Sequence, residues 1–274
     1  MKFFYKAEEM QKLIVAILLF IPFILQAQIN QTDGNGLRQG LWKKEQPNGR
    51  LLYEGNFRDG KPVGEWKRYH EGGQVKAIIN YETGSDSAFA QLFDEWGKKV
   101  AEGNYVGEKK AGRWIYFTQN RKVADENFVD GVKQGISRKY YVTGELLETS
   151  DWKDGKQEGN YRVFFKNGEP FLECKMSDNK RNGLCLSYFQ NNKVELEAHY
   201  RAGLRHGDWN YYDETGKLVY TLKYDSGKLL NPEVRDSLST LELQYIDKSK
   251  GHFEDPEKYI EDPSEYMIKK NIYK

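Results

Sequence analysis

Short runs rich in aromatic and β-branched residues recur along most of the chain, and glycine-rich polar segments separate them. Residues 65–72 (EWKRYHEG) and 160–168 (NYRVFFKNG) are two examples. These residue types favour strands, and runs of this length are too short for helices. The pattern therefore predicts pairs of short antiparallel strands that are joined and separated by turns.

The runs belong to a repeat of 24 residues, with a single step of 23. We count eight units from about residue 35 to residue 224, and residues 225–230 begin a ninth. Repeats of roughly 20 to 50 residues are typical of architectures in which each unit buries its apolar face against its neighbours. We therefore predict an all-β fold for residues 29–230: an elongated single-layer antiparallel meander of about eight β-hairpin repeats. The last aromatic position of the unit is held by Phe57, Tyr81, Tyr105, Phe128, Trp152, Tyr200 and Tyr224, with Met176 in the remaining unit.

Each unit carries three glycine positions, and asparagine takes three of the four places where glycine is absent. Both residues tolerate the positive φ of tight turns, so we predict turns at all three positions. The third repeat, residues 82–105, departs most, because Ala88 replaces a glycine and Ala90 stands where other units have tryptophan. We expect altered curvature or a weak joint there. The predicted turn glycines are Gly60, Gly64, Gly73, Gly155, Gly159, Gly168, Gly203, Gly207 and Gly216.

The spacing of glycine, tryptophan and tyrosine in these units resembles that of a known family. The segments GKPVGEWKRYHEGG, from Gly60, and GLRHGDWNYYDETG, from Gly203, resemble the MORN-type repeat, and more closely the bacterial variant found in YwqK-family antitoxins. The resemblance covers about 190 of the 274 residues. It implies a twisted or curved meander of β-hairpins with aromatic side chains packed between neighbouring units. For function it implies neutralisation of a toxin or attachment to lipid headgroups.

Charged residues make up 30% of the chain and aromatic residues 14%, and the mean hydropathy is -0.83. Such a chain has little material for one large core but suits a thin sheet covered by broad aromatic side chains. We expect the aromatic residues of the units to pack on the sheet, with ligand contact on a binding face as the alternative. These residues are Trp42, Trp66, Tyr69, Trp114, Phe117, Tyr161, Phe164, Trp209 and Tyr212.

Residues 13–25 (LIVAILLFIPFIL) form an apolar run that is too short for a comfortable membrane span but has the length of a signal-peptide core. We expect residues 1–28 to be a signal peptide that is cleaved near Ala27 or Gln28, with Met10 as an alternative start. The protein would then be exported to the periplasm, the outer envelope or the medium. An uncleaved anchor is the alternative.

Without residues 1–28 the chain has 39 basic and 39 acidic residues. It therefore lacks the basic excess that nucleic-acid binding requires. Cys174 and Cys185 are expected nearly opposite each other on adjacent strands. A disulfide between them, which export would permit, and two free buried thiols are both consistent with this placement.

The period is lost at residue 231, and residues 231–274 are predicted to be helical. Ser239 and Glu242 have the spacing of a capping box, and the pairs Asp255-Pro256 and Asp262-Pro263 are typical of helix starts. This segment is either a cap that covers the open edge of the last strand or a docking peptide for another protein.

The residues that could carry catalysis or metal binding do not form recognisable motifs. None of the four histidines has a second ligand at metal-binding spacing, and the sequence contains no nucleophile motif. The acid pairs Asp94-Glu95 and Asp213-Glu214 precede glycines and are interpreted as solvated turn residues. We therefore predict no catalytic residue, no cofactor and no metal, and hence a protein that is not an enzyme.

The sequence favours an exported, non-enzymatic repeat scaffold that binds an unknown protein or glycan partner in the cell envelope. We expect membrane contact only through the export signal or by weak peripheral binding. A monomer and an edge-to-edge homo-oligomer are both consistent with an open sheet. A YwqK-type antitoxin and a lipid-headgroup attachment module are the alternatives.

Overall fold

The computed structural model describes residues 29–249, which form 19 strands and one helix. The predicted signal peptide, the alternative start at Met10, and the pairs Asp255-Pro256 and Asp262-Pro263 lie outside the described residues. The strands form an open antiparallel meander, which confirms the all-β prediction. Strands β1 to β9 are Gln31–Thr32, Arg38–Glu45, Leu51–Arg58, Lys61–Tyr69, Val75–Tyr81, Ser87–Phe93, Lys99–Val106, Lys109–Thr118 and Arg121–Val129. Strands β10 to β19 are Val132–Lys133, Gly135–Tyr140, Leu146–Lys153, Lys156–Phe164, Pro170–Ser177, Lys180–Tyr188, Val194–Arg201, Leu204–Tyr212, Leu218–Asp225 and Lys228–Leu229, and helix α1 is Pro232–Ser249.

The chain divides into two compact units, which are described separately. The first contains residues 29–122 and 128–131, and thus strands β1 to β8. The second contains residues 123–127 and 132–249, and thus β10 to β19 and α1, while β9 supplies residues to both. In each unit, consecutive long strands pair antiparallel with their neighbours in the chain.

Two-residue turns make one kind of connection between strands. In Asp59-Gly60 and Asp154-Gly155, both residues have positive φ. This is the type I′ turn, whose twist matches that of the strands it joins, and it selects asparagine, aspartate and glycine. Five-residue loops make the other kind, as in residues 46–50, where Gln46 N donates to Arg50 O and Gly49 has positive φ.

The predicted turn glycines fall into three structural classes. Those in two-residue turns are Gly60, Gly155 and Gly203, and those in five-residue loops are Gly73, Gly168 and Gly216. The turn prediction is wrong for Gly64, Gly159 and Gly207, which lie inside strands β4, β13 and β17. The register shifts beside them, because each strand bulges there. A bulge needs the same positive φ as a turn, so glycine spacing alone does not separate the two.

The irregular repeats compensate locally for their missing residues. The single 23-residue step contains the two-residue turn Gln119-Asn120, with positive φ at both residues, where other repeats have a five-residue loop. In the third repeat, Ala88 replaces the bulge glycine, and β5 pairs with β6 without a register shift. Ala90 is fully buried opposite Ile79, which supplies the bulk that tryptophan provides elsewhere. The sheet is therefore filled at the place where a weak joint was expected.

One row of facing residues crosses the strands at the centre of each unit. Across β2 to β8 the first central row consists of Trp42, Gly55, Trp66, Ile79, Ala90, Gly103 and Trp114. Across β11 to β18 the second central row consists of Ser137, Ser150, Tyr161, Cys174, Cys185, Ala198, Trp209 and Leu222. At several places a large side chain lies opposite a small one, as Trp42 does opposite Gly55, Ile79 opposite Ala90 and Trp209 opposite Ala198.

The buried indoles lie across small residues of the preceding strand. A Cβ added at Gly55 would lie 2.2 Å from the ring of Trp66, and one at Gly103 would lie 2.5 Å from the ring of Trp114. The indole Nε1 of Trp114 donates to Asn104 O at 2.9 Å, which satisfies its polar group. Trp66 and Trp209 make the same type of bond. These tryptophans are structural, as the packing interpretation expects.

The first residues of β2 are covered on the outer edge of the strand. Strand β1 pairs with β2 through Gln31 and Gln39. Asn30 N donates to Leu41 O, and Asn30 Oδ1 accepts a bond from Lys43 N at 2.8 Å. A strand that adds to this edge would have to displace these bonds.

The outer edge of β18 is covered by a similar arrangement. Strand β19 pairs with its end, Asn231 Oδ1 accepts from Lys223 N at 2.8 Å, and Asn231 Nδ2 donates to Thr221 O at 2.9 Å. Val234 of α1 packs against the core cluster that contains Leu222. Helix α1 begins at Pro232, so the predicted capping box at Ser239 is wrong, because that residue lies inside the helix.

These contacts agree with the capping interpretation for the start of α1. The docking alternative concerns later residues and stays a prediction. In the described part of the chain, no helix is long and apolar enough to cross a membrane.

Candidate functional site

Three successive five-residue loops of the first unit come together along one end of its strands. They are residues 46–50, 70–74 and 94–98. Gln46 Nε2 donates to His70 O at 3.1 Å, which ties the first loop to the second. His70 Nε2 lies 3.0 Å from Phe93 O, which ties the second loop to the strand before the third. The loops are therefore held side by side rather than as separate tips.

A cleft of about 810 Å³ lies against these loops. Leu52 and Tyr69 supply apolar surface, while Gln74, Lys76, Glu95 and Trp96 add polar groups and an indole. An adjoining shallow depression of about 460 Å³ shares Tyr69, Gly72 and Gln74 with it and adds Arg50. Both volumes fall in the range typical of ligand sites, about 300 to 1,000 Å³.

Trp96 is 81% exposed, although tryptophan is usually well buried. It occupies the third position of its loop. The same position in the other five-residue loops holds Asn35, Asn48, Gly72, Gly84, Thr143, Asn167, Asn191 and Thr215. Trp96 is therefore a large apolar side chain at a position that is otherwise small or polar.

The turn around Trp96 is held by its neighbours and not by the indole. Asp94 Oδ1 accepts bonds from Trp96 N at 3.0 Å and Lys98 N at 2.8 Å, and Gly97 supplies the positive φ. Asp213 holds the turn of Thr215 by the same pair of backbone bonds. A residue that breaks a local pattern without serving the fold is a candidate for function.

Tyr69 is fixed at the wall of the cleft by a carboxylate. Its hydroxyl donates to Glu54 Oε1 at 2.6 Å, and Lys43 Nζ lies 3.0 Å from the other oxygen of Glu54. Burial and then the bond to Glu54 raise the pKa of Tyr69 to about 12, while the tyrosine hydroxyl and Lys43 lower the pKa of Glu54. The phenol therefore stays protonated at neutral pH, and its ring keeps one orientation.

Several side chains around the cleft are available to a ligand. Glu71, Gln74, Lys76 and Glu95 make no side-chain hydrogen bond or ion pair with any described residue, and neither does the indole N–H of Trp96. The lining is thus rich in unused donors and acceptors. An exposed apolar surface surrounded by such groups is typical of a binding site.

The aromatic residues predicted from sequence lie mostly elsewhere. Only Tyr69 lines the cleft, while Trp66, Trp114 and Trp209 are buried in the central rows. The half-buried members of the set are Trp42, Phe117, Tyr161, Phe164 and Tyr212. Sequence reasoning missed Trp96 because it followed the positions that recur. A comparison of the third loop position across repeats would have found it.

Cys174 and Cys185 form a disulfide between β14 and β15. The two residues are direct partners in the register, their Cα atoms are 4.1 Å apart, and both are buried in the cluster that contains Ala198 and Trp209. Of the two states left open by the sequence, the structure has the bonded one.

The chain carries MORN-type repeats. Residues 62–83, 181–202 and 205–226 match the family described as MORN repeat variant, and each segment corresponds to one hairpin of the sheet. The search of curated proteins found no match.

Solved structures with some similarity include longer chains, of which this protein spans about one fifth. A mutant of S. aureus TarM in complex with Fondaparinux, alpha-GlcNAc-glycerol and UDP is 14% identical, with 39% of this chain and 19% of that chain covered and a TM-score of 0.27. A further TarM structure is 14% identical, with coverages of 42% and 20% and a TM-score of 0.27. The GtfA/B complex is 16% identical, with coverages of 39% and 20% and a TM-score of 0.27. Similarity at this level supports no inference about function.

Proposed function

We propose that this MORN-type repeat protein is an exported, non-enzymatic scaffold that holds a protein or glycan partner in the cell envelope. The cleft beside Trp96 is where that partner binds. The observation that carries the proposal is the 81% exposed indole, which stands in a turn that Asp94 and Gly97 already stabilise. Exposed aromatic side chains with a polar tip contribute strongly to binding interfaces.

The disulfide supports the exported location. Disulfides form and persist in oxidising compartments such as the periplasm and the cell exterior, and they are rare in the cytosol. The bond between Cys174 and Cys185 fits this pattern, as does the apolar run of residues 13–25.

Toxin neutralisation of the YwqK type and attachment to lipid headgroups are the competing functions. The first would place the chain in the cytosol, where the bond between Cys174 and Cys185 would be reduced. The second needs a basic surface for anionic headgroups. The cleft instead combines Arg50 and Lys76 with Glu71 and Glu95, so its formal charges balance.

Crosslinking from intact cells tests the proposal. A photoreactive amino acid placed at position 96 is expected to capture a specific envelope component, and the same group at Thr143, which is the equivalent loop position of the second unit, is expected not to. Fractionation of the same cells should place the chain outside the cytosol with Cys174 and Cys185 oxidised.

Two results would contradict the proposal. Equal capture from positions 96 and 143 would remove the cleft as the binding site. A cytosolic chain with reduced cysteines that captures a growth-inhibiting protein would support the YwqK-type function instead.

A further inference from the structure

We infer that the cleft beside Trp96 takes an extended, electrically neutral glycan chain. This inference deepens the proposed function and rests on it, since it names the chemical class of the partner at the same site. Three properties of the cleft lead to it: an open indole face, unused groups that can bind hydroxyls, and a lining that crosses three loops.

The indole supplies a stacking surface for a sugar ring. Trp96 is 81% exposed, and Asp94 fixes the backbone that carries it. The C–H groups on one face of a pyranose are apolar and pack on a flat aromatic ring, while its hydroxyls remain at the rim. Tyr69, whose hydroxyl is committed to Glu54, offers a second ring within the same cleft.

The polar residues that line the cleft suit a ligand that carries many hydroxyl groups and no net charge. The Gln74 amide both donates and accepts, the Glu71 and Glu95 carboxylates accept, and the Lys76 ammonium donates. With Arg50 in the adjoining depression, the lining contains two positive and two negative groups. An anionic polymer would meet both carboxylates, so a neutral polyol is the better match.

The length of the cleft calls for several sugar units. Its lining comes from the loops of three successive repeats, represented by Gln46, His70 and Trp96. Neighbouring loops are separated by two strands, or about 10 Å, so a single monosaccharide would not reach across. A linear oligosaccharide that lies along the loops contacts all three.

A peptide is a weaker match because the cleft is lined by tight turns that bond across themselves, and not by the edge of a strand. His70 N donates to Gln74 O, Gly73 N to His70 O, and Asp94 N to Lys98 O. Extended peptides are usually held by free backbone groups at a strand edge. The side chains of Glu71, Gln74, Lys76 and Glu95 offer the separate donors and acceptors by which hydroxyl-rich ligands are held.

Titration with defined oligosaccharides tests the inference. The full chain is titrated by calorimetry with neutral tetrasaccharides of glucose, mannose and N-acetylglucosamine, and with a sulfated tetrasaccharide as the anionic probe. At least one neutral probe should bind saturably, and Trp96→Asn should weaken that binding at least about tenfold, as expected when a stacking contact is lost. Asn is the residue that equivalent loops carry, so the turn is preserved.

Two further variants distinguish the loss of a ligand contact from a general effect of substitution on the fold. Thr143→Asn makes the same final residue at the equivalent loop position away from the cleft and should leave affinity unchanged, whereas Gln74→Ala should weaken it. Equal affinity of wild type and Trp96→Asn, or tighter binding of the sulfated probe, would overturn the inference.

Failure of the inference is distinguishable from failure of the proposed function. If no neutral tetrasaccharide binds while position 96 crosslinks to a protein in cells, the glycan assignment is wrong and the scaffold function stands. If neither occurs, both are wrong.

Discussion

The two central rows fill the same positions on the same backbone pattern by different means. In the first row, flat indoles lie directly on glycine, as Trp114 does on Gly103. In the second row the middle is closed by a covalent bond between Cys174 and Cys185, with Ala198 beside it. One row depends on shape complementarity and the other in part on a crosslink.

This difference shows which feature of the repeat is under tight constraint. The facing residues need not be alike, but a buried indole needs a small neighbour on the strand before it, since protein interiors are closely packed. Ile79 opposite Ala90 satisfies the condition with the large residue on the other strand. Substitutions that change one partner alone should therefore disturb the sheet, and they should do so differently in the two rows.

The largest expected effect comes from removing an indole of the first row. Trp114 is fully buried, so Trp114→Ala should lower the free energy of unfolding by about 3 to 5 kcal/mol, through lost burial and the cavity left on Gly103. Urea unfolding followed by circular dichroism measures this. Trp96→Ala is the matched control and should change stability by no more than about 0.5 kcal/mol. A similar loss for both variants would make Trp96 structural and remove the reason for the binding site.

A smaller loss is expected when the crosslink of the second row is removed. The bond spans 11 residues, and closing a loop of that size restricts the unfolded chain by roughly 3 kcal/mol. Replacement of both Cys174 and Cys185 by Ala should lower stability by about this amount and avoids burying a hydroxyl. The midpoint of urea unfolding is measured with and without reductant.

Unfolding in reductant shows whether the disulfide itself stabilises the protein. Wild type should lose stability on reduction, while the double alanine variant should be insensitive to it. Insensitivity of wild type, with quantitative reduction shown by thiol labelling, would mean that packing and not the bond closes the second row.

The strands, their order and the turns could be predicted from sequence because they depend on local chemistry. Positive φ favours glycine, asparagine and aspartate, so most of the two-residue turns, such as Asp59-Gly60, are visible as a spacing. The bulge at Gly64 was mistaken for a turn, because the two features need the same backbone angle. The capping box was placed wrongly at Ser239, because the side chain of Asn231, which precedes α1, bonds to β18, and that contact leaves no local pattern.

The candidate site was less accessible to sequence reasoning. The cleft exists because three loops, 24 residues apart, are held side by side, and this depends on contacts such as the one from Gln46 to His70. Tryptophan as a residue type predicts burial, so the exposure of Trp96 becomes visible only in the structure. The disulfide needed the register between β14 and β15, which the sequence placed only approximately.

The smallest losses of stability are expected when the small residue beneath a tryptophan is replaced, and these substitutions test the packing most specifically. Gly103→Ala places a methyl group 2.5 Å from Trp114, so the ring must shift, and a loss of about 1 to 3 kcal/mol is expected. Ala198→Gly in the second row removes a methyl beneath Trp209 and should lower stability by about 0.5 to 1 kcal/mol, mainly through chain entropy. Urea unfolding of Gly103→Ala in the Trp114→Ala background completes a double-mutant cycle, in which the clash should vanish. If Gly103→Ala is equally harmful without the indole, the glycine serves the backbone, and the first row is not held by the fit of tryptophan on glycine.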